Sequence, residues 1–249
     1  MEYQPLVSVI IPTHNAAVTL RTALESVVNQ LYPQVEIIVV DYQSTDATKE
    51  IVASYPSVRF VSETNKGIYQ AMNSGIAQSN GEWIYFLGAD DLLYNNLVFR
   101  ELFKRKIPEN TDLILGKVEN VGAQHSLVPT NYENTFSSGL YWRNTLHHQG
   151  ILYHKRIFDN YNFNTKYKIL ADYELNLRLF LANTKAYHSQ LFIAKSFAGG
   201  ISKQFTHALY DEELAFKNEL LPFIPKVLNW LVIKVKRWIK VKYYSIVFE

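Results

Sequence analysis

Apolar residues in the first hundred positions fall into short continuous runs separated by segments with helical spacing. Val7 to Ile11 is a β-branched run stopped by Pro12. Ala17 to Gln30 then spaces Leu20, Ala23, Leu24, Val27 and Val28 as one face of an amphipathic helix. Val35 to Val40 is a second run, and Asp46 to Tyr55 reads as a helix with Asp46 near its cap. Val58 to Val61 predicts a third strand, Gly67 to Gln78 a third helix, and Trp83 to Leu87 a fourth strand with a helix around Tyr94 to Lys106. Strands without a polar side belong to sheets covered on both faces. The alternation therefore predicts an α/β fold, a doubly wound, mostly parallel central sheet with helices on both faces.

After about Glu109 the rhythm changes. Leu113 to Leu115, Gly150 to Tyr153 and Leu191 to Ser196 read as short strands around one good helix, Leu170 to Leu181. This half reads as α+β continuing the same sheet. From Pro222 onward Leu228, Trp230, Leu231, Ile233, Trp238 and Ile239 interleave with Lys226, Lys234, Lys236, Arg237, Lys240 and Lys242. The expected organisation is a domain over 1–221, in two parts (1–109 and 110–221), with a basic amphipathic helical tail over 222–249.

Composition narrows the chemistry. The chain has 249 residues, 48% apolar, and no cysteine, which excludes disulfides, thiolate metal sites and cysteine nucleophiles. A net charge of +2 gives no nucleic-acid signature. No stretch of about 18 residues is apolar and uncharged, and Met1 to Gln4 leads directly into a strand, so neither a spanning helix nor a signal peptide is expected.

In doubly wound sheets ligands sit beyond the carboxyl ends of the strands. Three polar clusters fall there: Thr13-His14-Asn15, Asp41 to Asp46, and Asp90-Asp91. The first reads on its own as a helix cap, and Asp46 likewise. Asp41 ends a strand, where a carboxylate can accept hydrogen bonds from a base or ribose. Lys66-Gly67 opens a helix and offers positive charge and N–H groups to an anion, although a plain loop-to-helix junction looks the same. Asp90-Asp91 follows an apolar strand directly, and two acids there point to a divalent cation such as Mg²⁺ or Mn²⁺ and a diphosphate.

Together these segments resemble the family 2 glycosyltransferases, inverting enzymes of the GT-A fold, over roughly residues 5 to 205. The resemblance implies that Pro12, Thr13 and Asn15 line the nucleotide base, that Asp41 contacts it and that Lys66 lies nearby. It implies Asp91 as the metal acid and Asp90 as a ribose or metal ligand. Two departures stand out: the family often has a further acid where this chain has Gly88, and Tyr42 replaces the usual glycine after Asp41. Asp172 resembles the second acid of the family's Glu-Asp motif and becomes the candidate base, with Ala171 in place of the first acid. Read alone, Asp172 is a helix cap. Glu174, about 200° further around the helix, should point elsewhere. His147-His148-Gln149 and Gly199-Gly200-Ile201-Ser202 resemble segments of bacterial polysaccharide members. There His148 would approach the diphosphate or metal, and Lys203 a phosphate.

The implied reaction moves a sugar from a UDP-, GDP- or dTDP-linked donor to a saccharide or lipid-linked hydroxyl. A nucleotidyltransferase would want a glycine-rich basic loop after the first strand, which Thr13 to Ala17 lacks. A non-catalytic sugar-nucleotide binding scaffold has only Gly88 and Ala171 in its favour. The tail has two readings, packing back on the domain or lying in a membrane interface; the second places the protein in the cytoplasm, peripheral on the inner face of the plasma membrane.

Overall fold

The computed structural model describes residues 3–122, 129–197 and 206–248, with the side chains at 224 and 240–248 outside the description. The chain runs β1 (Val7–Thr13), α1 (Leu20–Val28), β2 (Val35–Tyr42), α2 (Thr48–Ala53), β3 (Val58–Glu63), α3 (Ile68–Gln78), β4 (Trp83–Phe86), β5 (Leu92–Leu93) and α4 (Val98–Phe103). It continues through β6 (Leu113–Val121), β7 (Asn131–Glu133), β8 (Ile151–His154), α5 (Ala171–Leu181), β9 (Ala186–Phe197), α6 (His207–Leu220) and α7 (Phe223–Phe248). One sheet takes the order β3-β2-β1-β4-β8-β6-β9-β5, with β7 paired to β6. β1 to β4 are parallel neighbours, β8 is antiparallel to both β4 and β6, and β9 is parallel to β6. Six strands (β1 to β4, β6 and β9) thus run one way, the mostly parallel α/β sheet expected.

Alternation along each strand explains the two layers of helix. Val7, Val9 and Ile11 of β1, Ile37 and Val39 of β2, and Trp83 and Tyr85 of β4 face a core closed by α1, α2 and α4. Ile10, Ile38, Val40, Ile84 and Phe86 face the opposite core, closed by α3, α5 and α6. Period-2 geometry sends successive side chains to opposite faces, so a run apolar at every position needs cover on both.

Several expected boundaries shift. β1 does not stop at Pro12 but reaches Thr13, paired to Asp41. Pairing of β1 with β4 ends at Ile10, so the missing N–H of Pro12 breaks no ladder bond with β4. The helix expected from Tyr94 is confined to Val98–Phe103 because Leu92–Leu93 is drawn into pairing with β9. β6 and β9 are longer than their apolar runs, since their distal halves pair mainly with each other and alternate buried with part-exposed positions. α6 had no counterpart among the expected elements.

Candidate active site

Four strand ends and two helix starts converge at the carboxyl edge of the sheet. At the end of β1, Thr13 donates its hydroxyl to Oδ1 of Asp41 at 2.9 Å. Asp41 also accepts the Ser44 N–H at 2.9 Å and its hydroxyl at 2.5 Å. Both Thr13 and Asp41 are buried. Asn15 adopts a left-handed φ of 51°, which brings its side-chain oxygen to the Thr45 N–H at 2.8 Å. The Thr13–Asn15 loop is therefore sewn to the loop after β2 rather than left as a simple cap. Tyr42, at the position where glycine is common in the family, packs its ring 5.1 Å from that of His14. Asp46 stands one position before Ala47, the N-cap residue of α2, and accepts the Thr48 N–H at 3.0 Å.

Lys66 is exposed and Gly67 sits at φ 130° before α3. A side chain would be strained at that angle, so glycine is needed for the chain to turn into the helix. Glu63 at the end of β3 accepts the N–H groups of Thr64 and Asn65, both at 2.8 Å. Those contacts, led by the Asn65 N–H, hold its carboxyl below the usual range.

Asp90 and Asp91 occupy unlike environments. Asp90 is exposed, whereas Asp91 is buried in a turn closed by its own N–H on the Gly88 carbonyl at 3.1 Å. The Phe197 N–H of β9 donates to Asp91 Oδ1 at 2.9 Å, and Gln149 Nε2 donates to Oδ2. Burial pushes the Asp91 carboxyl up, and the charge of Asp90 adds to the shift. A cation at this corner would reverse that penalty. Gln149 Oε1 is buried without a hydrogen-bond partner, a third oxygen beside the acids. Among the described residues no group of three or more His, Asp or Glu could hold a metal. The corner fits a divalent ion only if the remaining ligands come from a bound diphosphate or water. Gly88 is part of this packing: a Cβ there would stand 2.6 Å from Asp91 Oδ2 and 2.9 Å from Asp90 Oδ1.

Asp172 lies in the first turn of α5, half-buried, with Leu170 at the N-cap position. The Tyr69 hydroxyl of α3 is 3.0 Å from Asp172 Oδ1 and 2.8 Å from the Ile169 carbonyl. Burial, then the charge of Asp172, raise the Tyr69 phenol well above its ordinary value, which keeps it a protonated donor. Ala171 is fully enclosed in the core, which leaves no wet place for the first acid of the family's pair. Glu174 is committed elsewhere, as expected, to a buried pair with Arg178 at 2.9 Å. Burial raises its carboxyl and Arg178 opposes the rise.

His148 was expected against the diphosphate or metal. Its Nδ1 lies 3.7 Å from Asp172 Oδ2. The next residue, Gln149, holds Asp91, so the 3-10 turn His148–Gly150 touches both acids. Lys203 and the Gly199–Ser202 segment lie outside the described residues.

Two contributors were missed by sequence reasoning. Gln149 was passed over because its partner lies 58 positions away. Glu212, in the unforeseen α6, accepts the N–H groups of Lys168 at 2.7 Å, Ile169 at 2.9 Å and Leu170 at 3.0 Å. It thereby fixes the backbone that delivers Asp172.

The family model described as Glycosyl transferase family 2 matches residues 8–171, which spans Asp41, Asp90 and Asp91 and stops one residue before Asp172. The chain belongs to glycosyl transferase family 2. It is 30% identical over 250 residues to a PGL/p-HBAD biosynthesis glycosyltransferase of Mycobacterium bovis, covering 95% of this chain and 92% of the relative. It is 26% identical to Glycosyltransferase GlyA of Streptococcus pneumoniae, over 82% of this chain and 33% of that protein. In fold, this family 2 chain resembles S. aureus TarS 1-349 in complex with UDP-GlcNAc (TM-score 0.70, 18% identity, 92% of this chain and 70% of that one). It also resembles the mannosyltransferase PcManGT of Pyrobaculum calidifontis in complex with GDP-Man and Mn²⁺ (TM-score 0.66, 18% identity, 92% and 69%). The GT-A expectation holds, and the chain is a glycosyltransferase.

Proposed function

We propose that this glycosyltransferase works by inversion, with Asp172 as base and the Asp90–Asp91 corner holding a nucleoside-diphosphate sugar. The observation that carries the reading is the His148–Gln149 pair, which touches Asp172 through one residue and Asp91 through the next. One small element thus ties the donor acids to the only half-buried acid at the start of α5.

Thr13, Asn15 and Asp41, with Pro12 beneath them, form the base end of the donor site, and exposed Lys66 and Asn65 flank it. Asp91, Asp90 and the Gln149 amide oxygen are the residues that would hold Mn²⁺ or Mg²⁺. When bound, such an ion neutralises charge on the leaving diphosphate. Asp172 accepts the proton of the acceptor hydroxyl as that oxygen bonds to the anomeric carbon. The bond from that carbon to the diphosphate breaks on the opposite face, so configuration inverts. Tyr69 keeps one oxygen of Asp172 oriented and leaves the other toward the acceptor and His148. The acceptor is the hydroxyl of a saccharide or lipid-linked chain, used at the inner face of the plasma membrane; the basic tail supports this part.

Asp172→Asn preserves shape but removes the base. Transfer should fall by a factor on the order of 10² to 10⁴, while the rise in melting temperature caused by a donor with Mn²⁺ is retained. Transfer at the wild-type rate would remove Asp172 from the mechanism.

A further inference from the structure

Helix α7 is amphipathic in the reverse sense of a helix that packs on its own domain. Its inner side holds Asn229, Ile233, Lys236 and Arg237. Asn229 is buried with its side-chain oxygen 3.2 Å from Lys217 Nζ; Lys236 is 3.5 Å from Glu213 and also donates to the Trp142 carbonyl. Arg237 donates to Asp211 at 2.7 Å and to His207 at 2.7 Å. The outer side presents Val227, Leu228, Trp230, Leu231, Val235, Trp238 and Ile239 to solvent, with Trp238 68% exposed. Lys234 is the one described cation among them, its ammonium 5.6 Å from the Trp230 ring centroid. Polar residues inward and large apolar residues outward is an arrangement that water alone does not favour.

We propose that the outer face of α7 is a docking surface for an anionic lipid bilayer, with the helix lying flat in the interface. Charge argues for that occupant. Residues 223–248 contain six cations and no acid, and only Lys236 and Arg237 are described in ion pairs with acids of α6. A second copy of the chain would bring this net positive helix against itself. Tryptophan beside lysine suits the headgroup boundary. With 26 residues the helix is about 39 Å long, yet no helix among the described residues is long and apolar enough to cross a membrane.

Docking would also orient the site. α7 is pinned to α6 through Lys217, Glu213 and Asp211, and α6 holds the backbone before Asp172 through Glu212. Lys236 reaches Trp142, next to the turn whose Leu140 carbonyl accepts the Tyr173 hydroxyl at 2.6 Å. The acceptor side of the pocket is thus held at a set height above the lipid. This consequence rests on the acceptor reading above; the docking itself does not.

The test is flotation of the full chain with vesicles of phosphatidylcholine alone or mixed with phosphatidylglycerol. Wild type should float with the anionic vesicles, and less so as salt rises. Leu231→Glu with Trp238→Glu, both outward and distant from the core, should lower recovery about tenfold or more. The donor-induced rise in melting temperature should be the same in both proteins. Equal recovery of wild type and variant, or a wild-type dimer that the variant turns into a monomer without vesicle binding, would overturn the proposal. Flotation without any donor response would sink the transferase site and leave the docking standing.

Discussion

The Tyr69 hydroxyl meets Asp172 at 3.0 Å although 103 positions separate the two residues. Tyr69 lies in the first turn of α3, just after Lys66-Gly67, and Asp172 lies in the first turn of α5. The contact joins α3 to α5 at one oxygen of the carboxylate whose other oxygen is proposed to take the proton. Tyr69→Phe keeps the ring stacked on Phe163 and removes only the hydroxyl. A hydrogen bond to a charged group contributes about 1.5–3 kcal/mol, so kcat should fall about 10-fold or more with KM for the donor unchanged. Steady-state kinetics with donor varied check this; an equal loss in donor affinity would count against the orienting role.

Asp91 makes an opposite prediction for stability and for ligand response. Its carboxyl is raised in the folded protein, first by burial and then by Asp90. The folded state therefore binds the extra proton, and the stability from this group is present at low pH and lost as pH rises through the folded value. Without metal at neutral pH, Asp91→Asn should melt no lower than wild type, because Asn keeps an acceptor for the Phe197 N–H. The melting shift caused by Mn²⁺ with donor should vanish. Scanning fluorimetry measures both.

Gly88 cannot simply be restored to the acid common in the family. Any Cβ there comes within 2.6 Å of a carboxylate oxygen held by Gln149. Gly88→Ala should displace the Asp91 side chain and weaken donor binding in Mn²⁺ about 10-fold, an overpacking cost on the order of 1–3 kcal/mol. Titration calorimetry against wild type would show it; unchanged affinity would mean the acids move freely.

The α6–α7 joint contains a buried ion pair, Lys217 with Glu213 at 2.7 Å. Burial brings the Lys217 ammonium down to about 8, Glu213 opposing. Between that value and the ordinary one for lysine, the unfolded chain binds more protons than the folded one, so stability from this group rises with pH there. Lys217→Met should cost about 3 kcal/mol by leaving Glu213 underpaired, and Lys217→Met with Glu213→Leu should recover most of it. Urea melts from pH 7 to pH 10 should show the rising slope in wild type and not in the double variant.

Local pattern made β1 to β4 and the helices between them legible, since each strand had to be covered on both faces. The ordered motifs marked Asp41, Asp90, Asp91 and Asp172 for the same reason: strand and helix ends are visible in the chain. α6 was not legible. Its buried positions Leu209, Tyr210, Glu213, Phe216 and Lys217 follow helical spacing, but two of the five are charged, and only their mutual pairing makes them interior. Nor could the chain show that Gln149 and Phe197 secure Asp91, or that Glu212 secures the turn before Asp172. Their partners are far away in sequence, and a one-dimensional pattern records burial without naming what does the burying. The tail shows the division most clearly. Its mixture of cations and tryptophans was plain in the sequence, yet which side faces the domain was settled by the acids of α6, which attract Lys236 and Arg237 inward and leave the apolar side outside.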